Sequence, residues 1–495
     1  MISATAAVAS STRAASGDHR PNLLWIMADD LGAGEPSFTT PGKLSTPHLD
    51  RLASDGMRFT AAYAGYTVCA PSRATLFTGR NSGHLGGAPF DWPLLPRLLR
   101  AVGYETVMFG KSAPMDAIVP PARPSTLVWG LPDQYGFDHF AGQPSQGLCH
   151  NMYPGFWTTA GNRTTPLPLN LQPKSRAQCM AHPQSFNYTT DLFADATIDW
   201  LRSRPNAATA THPFFAYLSF TVPHAGGWGS APKAPEQGQP VPSDLGYAVY
   251  ADWPQVERDH AASVSYLDQR IGDVLQVIAE RGFAPRTAVF FASDNGAHNE
   301  GGHSVRFFDS TGGLRGFKRS FYEGGVRSPS LVRWPGVTPR GSVSDVPWAF
   351  WDVLPTLLEM AGAPVGLLAN ATIDGRSIVP ALRGEPMAAP EYMFWTWRGA
   401  VADDAEPTSE AMSLRRPRSP PGYAARVGAW KVVVHKCADQ RRKEPSVADV
   451  MELYNLTADP FEATNVAAVG DGPRIVGGIK QLLGRHALTC QCYQC

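Results

Sequence analysis

The stretch Cys69-Ala70-Pro71-Ser72-Arg73-Ala74-Thr75-Leu76-Phe77-Thr78-Gly79-Arg80 decides how this chain is read. It has the form C-x-P-S-R-x-x-x-L/F-T-G-R, and that many specified residue types at fixed spacing make a chance match improbable. Ser72 to Phe77 can form the first turns of a helix, with Cys69 just before its N-terminus. Pro71 suits a helix start, where its missing N–H costs nothing. The unpaired N–H groups and the positive end of the helix dipole would then face an anion held at Cys69. Arg73 adds planar donors for the same anionic group.

Upstream, Pro21-Asn22-Leu23-Leu24-Trp25-Ile26-Met27 is a short continuous apolar run, consistent with a buried central strand. It ends in Ala28-Asp29-Asp30-Leu31-Gly32. Two carboxylates at the C-terminal end of a buried strand fit the place where open α/β sheets bind ligands. Thr46 to Ala53 reads as a capped amphipathic helix leading to the cysteine loop. Downstream, Thr106 to Phe109, Phe214 to Phe220 and Thr287 to Phe291 read as further strands. Tyr266 to Ile278 reads as a helix with Leu267, Ile271, Val274, Leu275 and Ile278 on one face. Ser293-Asp294-Asn295-Gly296 follows the strand that begins at Thr287. Asp29, Asp30, Asp294 and Asn295 together make a hard oxygen-donor set, suited to Ca²⁺ or Mg²⁺ and unsuited to zinc. Strands alternating with helices argue for a mostly parallel sheet covered on both sides.

At 495 residues the chain can hold a large α/β domain with a smaller partner. Its 43 acidic and 43 basic side chains cancel, so no global field draws in nucleic acid or an acidic membrane. The 47 glycines and 44 prolines form no repeat and point to long ordered loops over the core. Without a long apolar run, no membrane span is expected. Residues 1–20 are rich in Ala, Ser and Thr and read as an N-terminal leader or disordered segment, a weak signal peptide at best. Sequons at Asn162, Asn187, Asn370 and Asn455 suggest a glycoprotein. Setting Cys69 aside, Cys149, Cys179, Cys437, Cys490, Cys492 and Cys495 can pair fully, and the C-terminal C-x-C-x-x-C fits a disulfide-bonded tail better than a zinc site. These features favour the secretory pathway, extracellular or lysosomal.

The cysteine motif resembles the signature of the sulfatase family, in which a maturation enzyme oxidises the cysteine to formylglycine. The resemblance covers Pro21 to about Val466. It implies an alkaline-phosphatase-like α/β fold, a large mixed sheet flanked by helices, with a smaller C-terminal domain of antiparallel sheet plus helix. The implied division is a catalytic domain over residues 21–385 and the smaller domain over 386–495. It implies hydrolysis of sulfate esters, with a bound cation held by Asp29, Asp30, Asp294, Asn295 and an oxygen of modified Cys69. Gly110-Lys111 matches a family motif in which Lys111 would contact the sulfate. In Thr221-Val222-Pro223-His224, His224 would touch the leaving-group side. Leu314 to Arg319 followed by Tyr322-Glu323-Gly324-Gly325-Val326-Arg327 matches a second signature, in which Lys318 would bind the sulfate. Arg73 would hold the modified residue.

One departure matters. Many sulfatases continue Gly-Lys as Gly-Lys-Trp-His-Leu-Gly, whereas this chain has Gly110-Lys111-Ser112-Ala113-Pro114-Met115, without histidine. His150 and His298 are candidates for the missing group by sequence context. His298 and His303, in His-Asn-Glu-Gly-Gly-His, could suggest zinc, but the glycine-broken spacing cannot place both on one helix face. Two rivals stand beside the sulfatase reading, a phosphate mono- or diester hydrolase of the same fold and a non-catalytic sulfate-binding protein. Basic clusters at Arg415–Arg418 and Lys436–Lys443 read as solvated loops. Loops Ala113–Leu131 and Gly226–Val241 are expected to form the pocket rim.

Overall fold

A computed structural model describes residues 20–85, 94–112, 131–161, 163–169, 172–173, 175–227, 238–369, 371–396, 421–435 and 451–486. The strands in chain order are β1 (Asn22–Asp29), β2 (Met57–Phe59), β3 (Ala62–Tyr63), β4 (Glu105–Lys111), β5 (His139–Gln143), β6 (Phe156–Thr159), β7 (Arg163–Pro166) and β8 (Phe214–Pro223). They continue with β9 (Thr287–Ser293), β10 (Ser330–Arg333), β11 (Ser342–Ser344), β12 (Trp348–Ala349), β13 (Met393–Thr396), β14 (Pro421–Val427), β15 (Trp430–His435) and β16 (Met451–Asn455).

Ten of them form one mixed sheet in the order β11-β2-β10-β9-β1-β8-β4-β5-β6-β7. The central run β9-β1-β8-β4-β5 is parallel throughout, and β10, β6 and β7 add antiparallel pairings toward the edges. Every residue of β1, β8 and β9 is buried, which is why these strands read as continuous apolar runs rather than alternating ones. Their period of two still sorts the side chains. Leu24, Ile26 and Ala28 pack into one core layer with the helices Thr189–Ser203 and Gln255–Glu280. Leu23, Trp25 and Met27 pack into the other, with the helices Cys69–Thr78 and Val353–Met360. Each of the larger side chains here, fully buried, contributes roughly 1.5–3 kcal/mol.

Two helix boundaries differ from the sequence expectation. The signature helix begins at Cys69 itself and runs to Thr78, so the cysteine lies in its first turn rather than before it. Gly79 ends the helix in a left-handed cap (φ +68°), its N–H reaching Thr75 O at 3.0 Å. The helix expected at Tyr266 starts at Gln255 and is 26 residues long. Its first half buries Glu257, Asp259 and His260, polar side chains that hide the amphipathic period.

The smaller C-terminal unit is a four-stranded antiparallel sheet, β13-β14-β15-β16. One face (Trp395, Ala424, Val433, Tyr454) packs on Tyr63, Phe321 and Trp351 of the main body. The other (Phe394, Ala425, Val432, Leu453) is covered by Val476, Ile479 and Leu483 of the helix Gly472–Arg485. The basic clusters, most of the expected rim loops and the leader lie outside the described residues.

Candidate active site

The C-terminal ends of β1, β4, β8 and β9 deliver Asp29, Lys111, His224 and Asp294 to one edge of the sheet, as parallel α/β topology requires. Asp29 closes β1. Asp30 follows in a left-handed conformation (φ +68°) that Asp tolerates better than most residues, and its N–H donates to Asp294 Oδ1 at 3.0 Å. Asn295 Nδ2 donates to Asp30 Oδ1 at 2.7 Å. Gly296 beyond it has no room for a side chain, since a Cβ would lie 1.9 Å from Gly324 O. Glycine here lets the Glu323–Val326 turn press against the Asp294-Asn295 corner.

The signature helix packs its first turns into this corner. Ser72 Oγ donates to Asp294 O and accepts from Gly65 N at 3.0 Å. Arg73, wholly buried, donates from Nε (2.9 Å) and Nη2 (2.6 Å) to Asp294 Oδ2, and from Nη1 to Lys111 O and Ser219 Oγ. One ligand atom each from Asp29, Cys69 and Asp294 lies within 4.8 Å of the others. Burial, reinforced by Asp29 and Asp294, pushes the Cys69 thiol up, so the unmodified cysteine is a poor nucleophile.

Two lysines balance the carboxylates. Lys111 Nζ lies 2.7 Å from Asp29 Oδ2, and Lys318 Nζ lies 2.9 Å from Asp30 Oδ2 and 3.0 Å from Glu300 Oε2. Burial alone would raise the Asp29 carboxyl, but Lys111, His224 and Arg73 hold it well below the usual range. Asp294 goes the other way. Burial, with Asp29 and Asp30 as like charges, outweighs Arg73 and Lys111 and lifts it to about 7. His224 Nδ1 contacts Ala225 O at 2.5 Å, which leaves Nε2 facing Lys318 Nζ at 2.9 Å and Asp30 and Glu300 at 3.4 Å each.

The sequence-selected residues Asp29, Asp30, Cys69, Arg73, Lys111, His224, Asp294, Asn295 and Lys318 therefore meet in one buried cluster. A model of the family described as Sulfatase matches residues 21–363. The chain belongs to the sulfatase family. Steryl-sulfatase of Mus musculus is 28% identical over 89% of this chain and 78% of its own length. Arylsulfatase A of Homo sapiens is 28% identical over 93% of this chain and 87% of its own. The crystal structure of Ps i-CgsB in complex with k-i-k-neocarrahexaose covers 96% of this sulfatase and 94% of that chain at a TM-score of 0.69 and 22% identity, a likeness of fold. The mixed sheet with its small antiparallel unit is the alkaline-phosphatase-like architecture, and this sulfatase is a sulfuric ester hydrolase.

The cysteine expectation needs correction. Cys149 and Cys179 are free, buried thiols rather than disulfide partners, and Cys179 Sγ meets Tyr153 Oη at 2.9 Å. The remaining four cysteines lie outside the described residues, as do Asn162 and Asn370. Asn187 is buried and its Nδ2 donates to Pro154 O (3.1 Å) and Leu169 O, so the nitrogen that would carry a glycan is spent inside the protein. Among the described residues no helix is long and apolar enough to cross a membrane. His303 does not join His298 on a metal. It meets Glu257 Oε2 at 2.7 Å beside a buried group with Glu35 and His260, and His260 stacks on it at 3.7 Å.

Sequence reasoning missed Glu300 and Ser219. Glu300 stands in the His-Asn-Glu-Gly-Gly-His run, where only the histidines drew notice. Ser219 gave no signal, because an alcohol inside an apolar strand reads as core until Arg73 is seen to reach it.

Proposed function

We propose that this sulfatase works through a formylglycine made from Cys69 and a divalent cation, Ca²⁺ by the hardness of its donors, with Mg²⁺ as the alternative. The observation that carries the cation is a pair of orphaned acceptors. Among the described residues no hydrogen-bond donor meets buried Asp29 Oδ1 or Asn295 Oδ1, though Arg73 Nη2 lies 3.7 Å from the former. Such atoms cost about 1–3 kcal/mol each unless something electropositive satisfies them. With Asp30 and Asp294 beside them they form an all-oxygen cradle that a hard cation fits. The Cys69 side chain lies within reach of the same cradle, and replacing its sulfur by oxygen completes the hard donor set.

A hydrated formylglycine supplies one hydroxyl to attack sulfur and a second through which sulfate is expelled, while the cation supplies Lewis acidity. The chain's own residues do the rest. Arg73, fixed by Asp294 and Ser219, presents a permanent positive charge beneath residue 69. Lys111 and Lys318 hold the sulfate oxygens, and their depth keeps water from weakening that attraction. Their carboxylate neighbours keep both ammonium groups charged despite burial. His224 keeps Nδ1–H on Ala225 O, which leaves Nε2, the acceptor of the Lys318 ammonium at 2.9 Å, as the atom that passes a proton to the departing oxygen once Lys318 turns to sulfate.

The same reading places the chain in the secretory pathway as a client of a formylglycine-generating enzyme, with the catalytic domain ending near residue 385. Mass spectrometry of the tryptic peptide Phe59–Arg73 tests it. The aldehyde or its hydrate is expected in active protein, and an intact thiol in a fully active preparation overturns the proposal.

A further inference from the structure

The family histidine absent after Gly110-Lys111 left His150 and His298 as candidates, and the geometry separates them. His298 is fully buried with both ring nitrogens committed. Nε2 meets Pro223 O at 2.9 Å and Nδ1 accepts from Glu300 N at 3.0 Å. It has no nitrogen left to trade a proton.

His150 is placed differently. It caps the short helix Gln146–Cys149, and its carbonyl accepts Gly227 N at 2.9 Å, which ties it to the loop after His224. Its ring stacks on His224 with centroids 4.6 Å apart and planes 18° from parallel. His224 also lies near His298, with centroids 6.0 Å apart and planes 20° from parallel. Of the two neighbours His150 is the closer ring, and His224 Nε2 is turned to Lys318, Asp30 and Glu300.

We propose that His150 is a positioning residue for sulfate-ester cleavage, holding by its stacked face the plane of the imidazole that protonates the leaving group. This rests on the acid role proposed for His224. In that step a bond forms between sulfur and the residue-69 oxygen, whose hydroxyl proton passes to a neighbouring carboxylate, Asp29 or Asp294, and the bond from sulfur to the ester oxygen breaks. The electron pair goes to that oxygen, which takes the proton from His224 Nε2. His150 neither gains nor loses a proton. A flat, neutral ring offers its π face to the neighbouring imidazole without adding charge to the site. His150 is held neutral by burial and by His224, Lys111 and Lys318 on its site side, with Asp29 acting against them, which leaves its pKa at about 2. Two facing imidazolium rings would instead repel.

The test compares His150→Ala and His150→Phe on a series of aryl sulfates of rising phenol pKa and on one alkyl sulfate. Cys69 conversion is checked by mass spectrometry in each variant. The Ala variant is expected to lose kcat about 10–100-fold on the poorest leaving groups and little on the best, with KM nearly unchanged. The Phe variant, which keeps a flat face without nitrogens, is expected to recover most of that rate. Imidazole NMR of the unconverted protein gives a readout free of turnover, with the His224 resonances broadened or shifted by Ala and restored by Phe. A Phe variant as slow as Ala overturns the proposal, since a ring nitrogen would then be required. So does an Ala defect equal on every leaving group. His224→Ala separates the parent reading: no leaving-group dependence there defeats the acid role itself. A steep dependence in His224→Ala with a flat one in His150→Ala defeats only the part given to His150.

Discussion

Lys111 Nζ sits 2.7 Å from Asp29 Oδ2, with both side chains closed to solvent. The lysine assigned to sulfate is thus found on a carboxylate assigned to the cation, and Lys318 repeats the pattern on Asp30 at 2.9 Å. The physical reason is charge balance, since a buried carboxylate without a partner costs several kcal/mol. The ammonium groups stand in for cationic charge.

It follows that Lys111→Met destabilises the calcium-free protein by about 3–5 kcal/mol, the cost of stranding a buried charge. Added Ca²⁺ is expected to return part of that loss by supplying the missing positive charge. Denaturant unfolding in chelator and in excess Ca²⁺ measures both values. An identical loss in the two conditions sinks the account.

Asp294 would link the proposed cation to pH. Its carboxyl is raised to about 7 by burial and by Asp29 and Asp30. Protons would therefore compete with the proposed metal below about pH 7, and Ca²⁺ affinity is expected to fall as pH drops through that value and to level off above it. Asp294→Asn removes the charge that Arg73 grips at 2.6 and 2.9 Å and is expected to weaken Ca²⁺ at least about 100-fold. Calorimetric titration across pH checks both, and pH-independent binding would refute the first.

His84 and Asp374 tie down the far end of the signature helix. The ring meets Asp374 Oδ1 at 2.7 Å, while Asp374 Oδ2 takes Asn81 N and Asp374 N reaches Gly79 O, both at 2.8 Å. The hydrogen bond to Asp374 raises the His84 pKa against partial burial. A raised histidine stabilises fully below its unfolded value of about 6.5 and loses that contribution as pH climbs through the folded value. His84→Ala is therefore expected to cost up to about 1 kcal/mol in mild acid and much less in alkali, a small effect because the pair is partly solvated. Thermal denaturation at the two pH values shows it, and a larger loss in alkali would contradict it.

Lys431 on β15 couples the small sheet to the site. Its Nζ lies 2.8 Å from Glu323 Oε1 and 2.9 Å from Glu462 Oε1, all three side chains being fully buried. Glu323 Oε2 also accepts Tyr63 Oη and Arg327 Nε at 2.8 Å each, and Glu323 precedes the Gly324 that presses on Gly296. Burial and the charge of Glu323 lift Glu462 to about 7, so one lysine balances little more than one negative charge. Lys431→Met is expected to lose about 3–5 kcal/mol and to lower activity through the Asn295 corner. Stability within about 1 kcal/mol of the parent would remove this coupling.

What the sequence determined by itself was local. Continuous apolar runs named β1, β8 and β9, because a strand buried on both faces has to be apolar throughout. The residues at their ends were legible for the same reason, since a polar residue at the close of such a run cannot be core. The cysteine motif carried the family in a single contiguous stretch. Its helix start was misplaced by three residues, because Cys69 and Ala70 carry no capping signal. What only the tertiary structure decided was meeting. Asp30 and Lys318 are 288 residues apart and share a hydrogen bond. His150 became the stacking partner of His224, and His298 a bound spacer, through loops whose ends no periodicity relates. Glu35, His260 and His303 come from three separate segments into one buried group. Burial then set what each group can do. It lifted Asp294 and enclosed Asn187, while the cations buried beside Asp29 lowered that carboxyl. Desolvation depends on what surrounds a side chain, and the linear order of residues does not record that.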